Sequence, residues 1–385
     1  MALYGALGLS LLMPFADQNK DFNIKLILLL VIGAYSWISF VASKIQKIKW
    51  NYLTYLITAL VLLLITIAIY SRGTINLFGA FYSPISALSL LAIIGLALNT
   101  SFQKPEFIAR AIFFVTALVA FLAFPYDIWR YHGLAAGRVS GTIAQSNSLA
   151  VYISAGLIIG FYWLVSGTYK NKKYLLIAVE AYMLFMTILT QTRFVIVLLG
   201  LMALTYFVLR IKEGKKIIFI ALATLLFAFG SIFVVNNRQI NQSALEKGVN
   251  YRLHLQATAF SGEPIRAVQV NGTNKLLKKL ECNNLNSSND LVLTCFQGFI
   301  FSSYHNQYLD RLVQFGWIFG LGYFLLISYG VTSIFEQRHQ AILLTLGCAF
   351  LLTALYYFTN VTTIEIEILL WILLLQGLSK RLINS

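Results

Sequence analysis

Four short stretches of this 385-residue chain combine polar side chains in ways that can do chemistry. The last of them, Ser303 to Arg311, sets His305 and Asn306 where a polar segment becomes an apolar run, with Asp310 close behind. A neutral imidazole at such a boundary can take the proton of an incoming hydroxyl, and an unperturbed pKa of ~6.5 suits that task. The plainer and commoner role for one histidine there is an interfacial hydrogen bond. Gly316 and Gly320, spaced as Gly-x-x-x-Gly in the apolar run, are read as close helix packing rather than catalysis.

A second stretch, Gly137 to Ala150, is rich in Gly, Ser and Asn and carries one arginine, Arg138. Backbone N–H groups at a helix start bind anionic oxygen, and a guanidinium adds a bidentate fork. The same residues also fit a turn with Ser146 or Asn147 as helix N-cap. The third, Leu189 to Phe194, is a tight turn between two apolar runs with Arg193 at the boundary, where a guanidinium must snorkel or find a partner such as phosphate. In the fourth, Asn250 to Ala257, a short helix would place Arg252 and Gln256 on one face, although a solvated loop arginine is the default. Lys275, Lys278 and Lys279 read as a solvated or headgroup-facing cluster.

Carboxylates are scarce, with 14 Asp and Glu in all. Glu365 and Glu367 look like a metal-binding pair, yet at i and i+2 on a helix they diverge by about 200°. No His-x-x-x-His or Asp-x-Asp accompanies them, so a metal site is not expected. Glu180 lies within an apolar run and is expected to pair inside the bundle, because a lone acid in the bilayer is costly. Asp127 and Asp310 flank the candidate site and can orient a base or a hydroxyl.

The elements that must position these residues follow from composition. The chain is 59% hydrophobic and 11% charged, against roughly 45–50% and about 25% for soluble domains. This excludes a soluble or disordered protein and makes nucleic-acid binding a poor reading of the +15 net charge. With about 20 apolar residues needed per membrane helix, the sequence predicts twelve spans near 1–14, 26–42, 52–70, 85–99, 107–124, 148–166, 174–190, 194–209, 217–235, 312–335, 341–358 and 364–378. The first is weak, but it lacks the basic n-region and small-residue cleavage site of a signal peptide. The fold expected is an all-α integral membrane protein, one polytopic domain over residues 1–385.

Basic residues gather in alternate breaks: Lys44, Lys47 and Lys49; Lys104; Lys170, Lys172 and Lys173; Arg210, Lys212, Lys215 and Lys216; Arg338; Lys380 and Arg381. The positive-inside rule then places both termini in the cytoplasm. The other breaks, 71–84, 125–147 and a large extracytoplasmic loop at 236–311 between spans 9 and 10, are long and polar. They hold His132, His254 and His305, and loops of that length are usually functional or disordered. Only about half of the 29 Lys and Arg is explained by topology. Cys282 and Cys295 lie in the large loop, where an oxidising compartment permits a disulfide, and a bridge and two free thiols both fit. Cys348 lies in a span, as packing.

Taken together and in order, these motifs resemble those of the O-antigen ligase family, which includes O-antigen polymerases and bacterial protein O-oligosaccharyltransferases. The matching residues are Arg138 to Ala150, Thr190 to Arg193, Arg252, and His305-Asn306 with Gly316, with Leu77-Phe78-Gly79 similar to a further family element. Residues 70–330 carry the resemblance. Thr192 stands where the family usually has Ser, and Phe319 where it often has a small residue, with Gly320 one place later. The resemblance implies a GT-C-like bundle in the bacterial cytoplasmic (inner) membrane with its active site on the extracytoplasmic face. It also implies inverting glycan transfer from an undecaprenyl-diphosphate carrier, a lipid-linked oligosaccharide donor, to a glycan, lipid or protein acceptor, with no cofactor or metal. Under it His305 is the base that activates the acceptor hydroxyl, and Arg193, Arg252 and Arg138 bind the diphosphate. Asn147, Asn306 and Asp310 shape the remaining site. Within the family, ligase, polymerase and protein glycosylase differ only in acceptor. From another class, a polytopic lipid or glycan transporter would also have many spans, but transporters tend to place substrate groups near the midplane, whereas here the unusual polar residues cluster at one surface. A structural scaffold is a third reading, disfavoured by the boundary arginines.

Overall fold

The computed structural model describes residues 2–12, 18–70, 86–131, 138–143, 145–192, 195–197, 199–200, 306–337, 339–358 and 363–382. All regular structure among them is helical: α1 (Ala2–Gly8), α2 (Gln18–Ser43), α3 (Tyr52–Tyr70), α4 (Ala87–Thr100), α5 (Pro105–Tyr131), α6 (Ser146–Ser166), α7 (Lys173–Leu189), α8 (Gln307–Phe315), α9 (Trp317–Glu336), α10 (Ala341–Tyr356) and α11 (Ile364–Leu382). Five are long and apolar enough to cross a membrane, α2, α3, α5, α6 and α9. Apolar runs 194–209 and 217–235 lie mostly or wholly outside the described residues. The other expected runs fall on helices, with two differences. Among the described residues the first run forms α1 and a 3₁₀ turn at Leu9–Leu11, together about 15 Å at 1.5 Å per residue, shorter than the bilayer core. The run at 312–335 is two helices, because Gly316 takes φ +88° and breaks it into α8 and α9.

Lipid offers no hydrophobic force between helices, so close packing and interhelical hydrogen bonds must hold the bundle. Gly33 lets α2 meet α4 directly, since a Cβ there would stand 2.3 Å from that of Ala92. Ser86 and Ser89 form a capping box that starts α4. At the centre α11 is buried from Ile364 to Gln376, the pattern of a core helix, and it packs on α4, α9 and α10. Around α6 stand α5, α7 and α10. On the outside, α2 shows Ile27, Val31, Tyr35, Ile38 and Val41 at helical spacing, all more than half exposed, a stripe suited to acyl chains.

Direct bonds sort the helix termini into two ends. At one, the close of α2 meets the close of α4 (Lys44 Nζ donates to the Asn99 carbonyl, 2.8 Å), and the start of α3 meets the close of α11 (Asn51 Nδ2 to the Arg381 carbonyl, 2.6 Å). The basic breaks at 44–49 and 380–381 share this basic end. At the other lie the starts of α2, α6 and α11 and the closes of α5, α7 and α10, joined by the contacts described next.

Candidate functional site

The loop at 138–143 is held from below by Asp127, in the last turns of α5. Its carboxylate is fully buried and accepts from the Ser140 N–H (2.7 Å), the Gly141 N–H (2.9 Å) and Ser140 Oγ (3.3 Å). Gly141 has φ +55°, left-handed backbone that favours glycine, and a Cβ would meet that of Ala123 at 2.7 Å. Asp127 is thus a loop anchor, engaged by the protein's own donors.

From this loop Arg138 reaches across to the turn after α7. Its Nε donates to the Thr190 carbonyl (2.7 Å), and its NH2 to Asn147 Oδ1 (2.7 Å) and Thr192 Oγ1 (3.2 Å). Thr192 Oγ1 also donates to Asn147 Oδ1 at 3.1 Å, and the Val139 N–H bonds the Leu189 carbonyl at 3.3 Å. Gln191, at φ +52°, makes the turn tight. Two of the four sequence stretches therefore form one cluster, with Arg138 half-buried as its bracket. Ser146 and Asn147 already lie inside α6, whose N-cap is Gln145. That frees the Asn147 amide for Arg138 and Thr192, so the capping role does not fall to it or to Ser146.

Asn306 has a structural task that the sequence did not indicate. It is the N-cap of α8, its Oδ1 accepting from the Tyr308 and Leu309 N–H groups at 3.1 and 3.3 Å. Asp310 is buried in the first turn, where a negative charge suits the helix dipole. Tyr308 donates to the Ala354 carbonyl at the end of α10 (2.9 Å), and burial, with the Glu367 carboxylate nearby, pushes its phenol above the usual value, so it stays a neutral donor. After Gly316 the chain folds back: a Cβ at Gly320 would stand 2.7 Å from the Leu312 Cα. Close packing is the task of Gly320, and Gly316 supplies the corner.

Two buried ion pairs underlie this end, and neither was legible beforehand. Lys25 Nζ, on α2, bonds Glu365 Oε1 at 2.5 Å and the Thr142 carbonyl at 3.1 Å, while Thr142 Oγ1 donates to the Ser10 carbonyl. Arg311 NH2, on α8, bonds Glu367 Oε2 at 3.1 Å, with relative exposures of 1% and 0%. Glu367 also accepts from Tyr357 OH (2.7 Å), Trp371 Nε1 (3.0 Å) and Tyr323 OH (3.4 Å). The expected divergence of Glu365 and Glu367 is observed, each carboxylate serving a different partner. The available signal was the presence of opposite charges inside or at the edge of apolar runs, which demand partners. Among the described residues, no three His, Cys, Asp or Glu side chains gather where they could share a metal ion.

Glu180 is the exception to pairing. Its Oε1 is buried with no hydrogen-bond partner among the described residues, packed where a Cβ at Gly160 would fall. Cys348 is buried in α10. His305, Arg193, Arg252, Cys282 and Cys295 lie outside the described residues, as do nearly all of the 236–311 loop, His132 and Leu77-Phe78-Gly79. No protein-family model matches the chain, and no curated protein matches it.

Proposed function

We propose that this protein is a membrane glycosyltransferase resembling the O-antigen ligases, moving a glycan from an undecaprenyl-diphosphate carrier to an acceptor hydroxyl at the site end of the bundle. The observation that carries the reading is the convergence of Arg138 and Asn147 with Thr190 and Thr192 across 52 and 54 residues of sequence. Arg193 follows Thr192 directly in the sequence, which is why it is assigned to the same site in this reading. A lipid-linked diphosphate is an activated leaving group, so the protein has only to position it and neutralise the charge that grows on it. Permanently charged arginines do this without help from carboxylates, and Asp127, Glu365 and Glu367 are engaged by the protein's own donors.

In the proposed step the acceptor oxygen attacks the anomeric carbon as the bond from that carbon to the diphosphate oxygen breaks. The electron pair leaves with the diphosphate, toward Arg138, Arg193 and Arg252, and the hydroxyl proton passes to His305. Attack opposite the leaving group inverts the anomeric centre. His305→Ala is expected to abolish transfer while protein level and membrane insertion stay normal, read by product formation in membranes. Full activity in that variant removes His305 from the mechanism. Transport or flipping of lipid-linked glycan by vesicles without any glycan product replaces the transferase reading with the transporter one.

A further inference from the structure

Glu365 and Glu367 start α11, which is buried from Ile364 to Gln376, and their partners lead to opposite halves of the proposed site. Glu365 holds Lys25, which holds the Thr142 carbonyl in the 3₁₀ turn Gly141–Ile143. Asp127 fixes the front of the same loop, and Arg138 projects from it. Glu367 holds Arg311 on α8, the helix that begins immediately after His305-Asn306 in sequence. The i, i+2 spacing sends the two carboxylates about 200° apart around one helix. One rigid element therefore touches both sides.

Stability alone does not call for these charges, because replacing a buried ion pair by well-packed apolar residues is often neutral or stabilising. The Glu367 carboxylate is also fully furnished with donors, on both oxygens, which fixes its direction as well as its charge. We infer that Glu365 and Glu367 are positioning residues that hold the anion-binding loop and the α8 helix in register, Glu365 through Lys25 and Glu367 through Arg311. For its catalytic consequence the inference rests on the transferase reading above; for its mechanical one it does not.

The test uses the full chain in lipid nanodiscs. Glu367→Gln removes the carboxylate that Arg311 bonds and risks misfolding, so it is paired with the neutral double variant Arg311→Met/Glu367→Gln. Lys25→Met/Glu365→Gln is its counterpart. Amide hydrogen exchange is read by mass over 307–315 and 139–143. Loss of the 311/367 pair is expected to speed exchange in α8 about tenfold with the loop unchanged, and loss of the 25/365 pair to do the reverse. Exchange that stays at wild-type rates in both segments, or rises equally in both, overturns the inference.

Kinetics separate a positioning role from a structural one. The 25/365 variant is expected to raise KM for the lipid-linked donor with kcat nearly unchanged. The 311/367 variant is expected to lower kcat about 100-fold and to alter its pH profile, with Arg311→Lys restoring part of the loss. Selective exchange changes in a protein that transfers no glycan leave the positioning role standing and remove the transferase reading. Wild-type transfer with variants that exchange and turn over normally does the opposite.

Discussion

The two ends of the bundle treat charge in opposite ways. At the site end, Lys25, Asp127, Arg311, Glu365 and Glu367 are all buried and engaged. At the basic end, Lys47 and Lys49 are exposed, and the Arg381–Glu336 pair is 33% and 54% exposed. Burying an ion costs several kcal/mol even after relaxation, so charge is kept inside only where its geometry has a use. Exposed lysines cost almost nothing, because their charge stays in water. The contrast is the reason the proposed chemistry is assigned to the site end.

Substitutions sharpen this contrast, beginning with the largest expected effect. Arg138→Met, which removes the bracket between loop and turn, should lower glycan transfer about 10²- to 10³-fold with insertion intact, measured on purified protein. Glu367→Gln should cost on the order of 3–5 kcal/mol of stability, seen as a large drop in the detergent melting temperature. Asp127→Asn replaces one of the two oxygens that accept the Ser140 and Gly141 N–H groups by an NH2 donor, leaving one loop N–H without its acceptor, and should cost about 1–3 kcal/mol, with transfer reduced along with it. At the other end Arg381→Gln should cost no more than about 0.5 kcal/mol after allowance for solvent screening. Equal losses at Glu367 and Arg381 would erase the comparison.

The smallest effect is a pH dependence at the basic end. Burial, and then the neighbouring Lys47, lowers the pKa of Lys44 from its ordinary 10.5. Between the lowered value and 10.5 the unfolded chain binds more protons than the folded one, so stability rises with pH through that window. Melting temperatures of wild type should therefore gain slightly on Lys44→Met as pH approaches 10.5. A wild type that loses ground over the same range would reverse the sign.

Much of the fold is written in hydropathy, and the expected run at 52–70 coincides with α3. The α8–α9 break is hidden because Leu312 to Phe319 continues the apolar run, and only the backbone angle of Gly316 separates the helices. Arg138, Asn147 and the Thr190 turn were legible as polar residues at run boundaries, since such residues must be satisfied locally. Lys25 with Glu365 was not, because 340 residues separate them and no local pattern links one helix start to another. The cap made by Asn306 was hidden for a related reason: whether an Asn before an apolar run caps the helix depends on where the next two N–H groups point. Glu180 was expected to pair because bilayer acids usually do, but its neighbour at the contact is Gly160, which has no group to offer.

The most direct measurement of the central claim is transfer itself. Purified protein in vesicles is given a lipid-linked oligosaccharide and, in turn, a lipid-core, glycan or peptide acceptor, and products are read by mass. The expected result is one acceptor class extended by the intact glycan with an inverted linkage, release of the undecaprenyl diphosphate, and loss of both in Arg138→Met. Donor moved across the vesicle membrane with its diphosphate linkage intact, and no acceptor extended, would contradict the account.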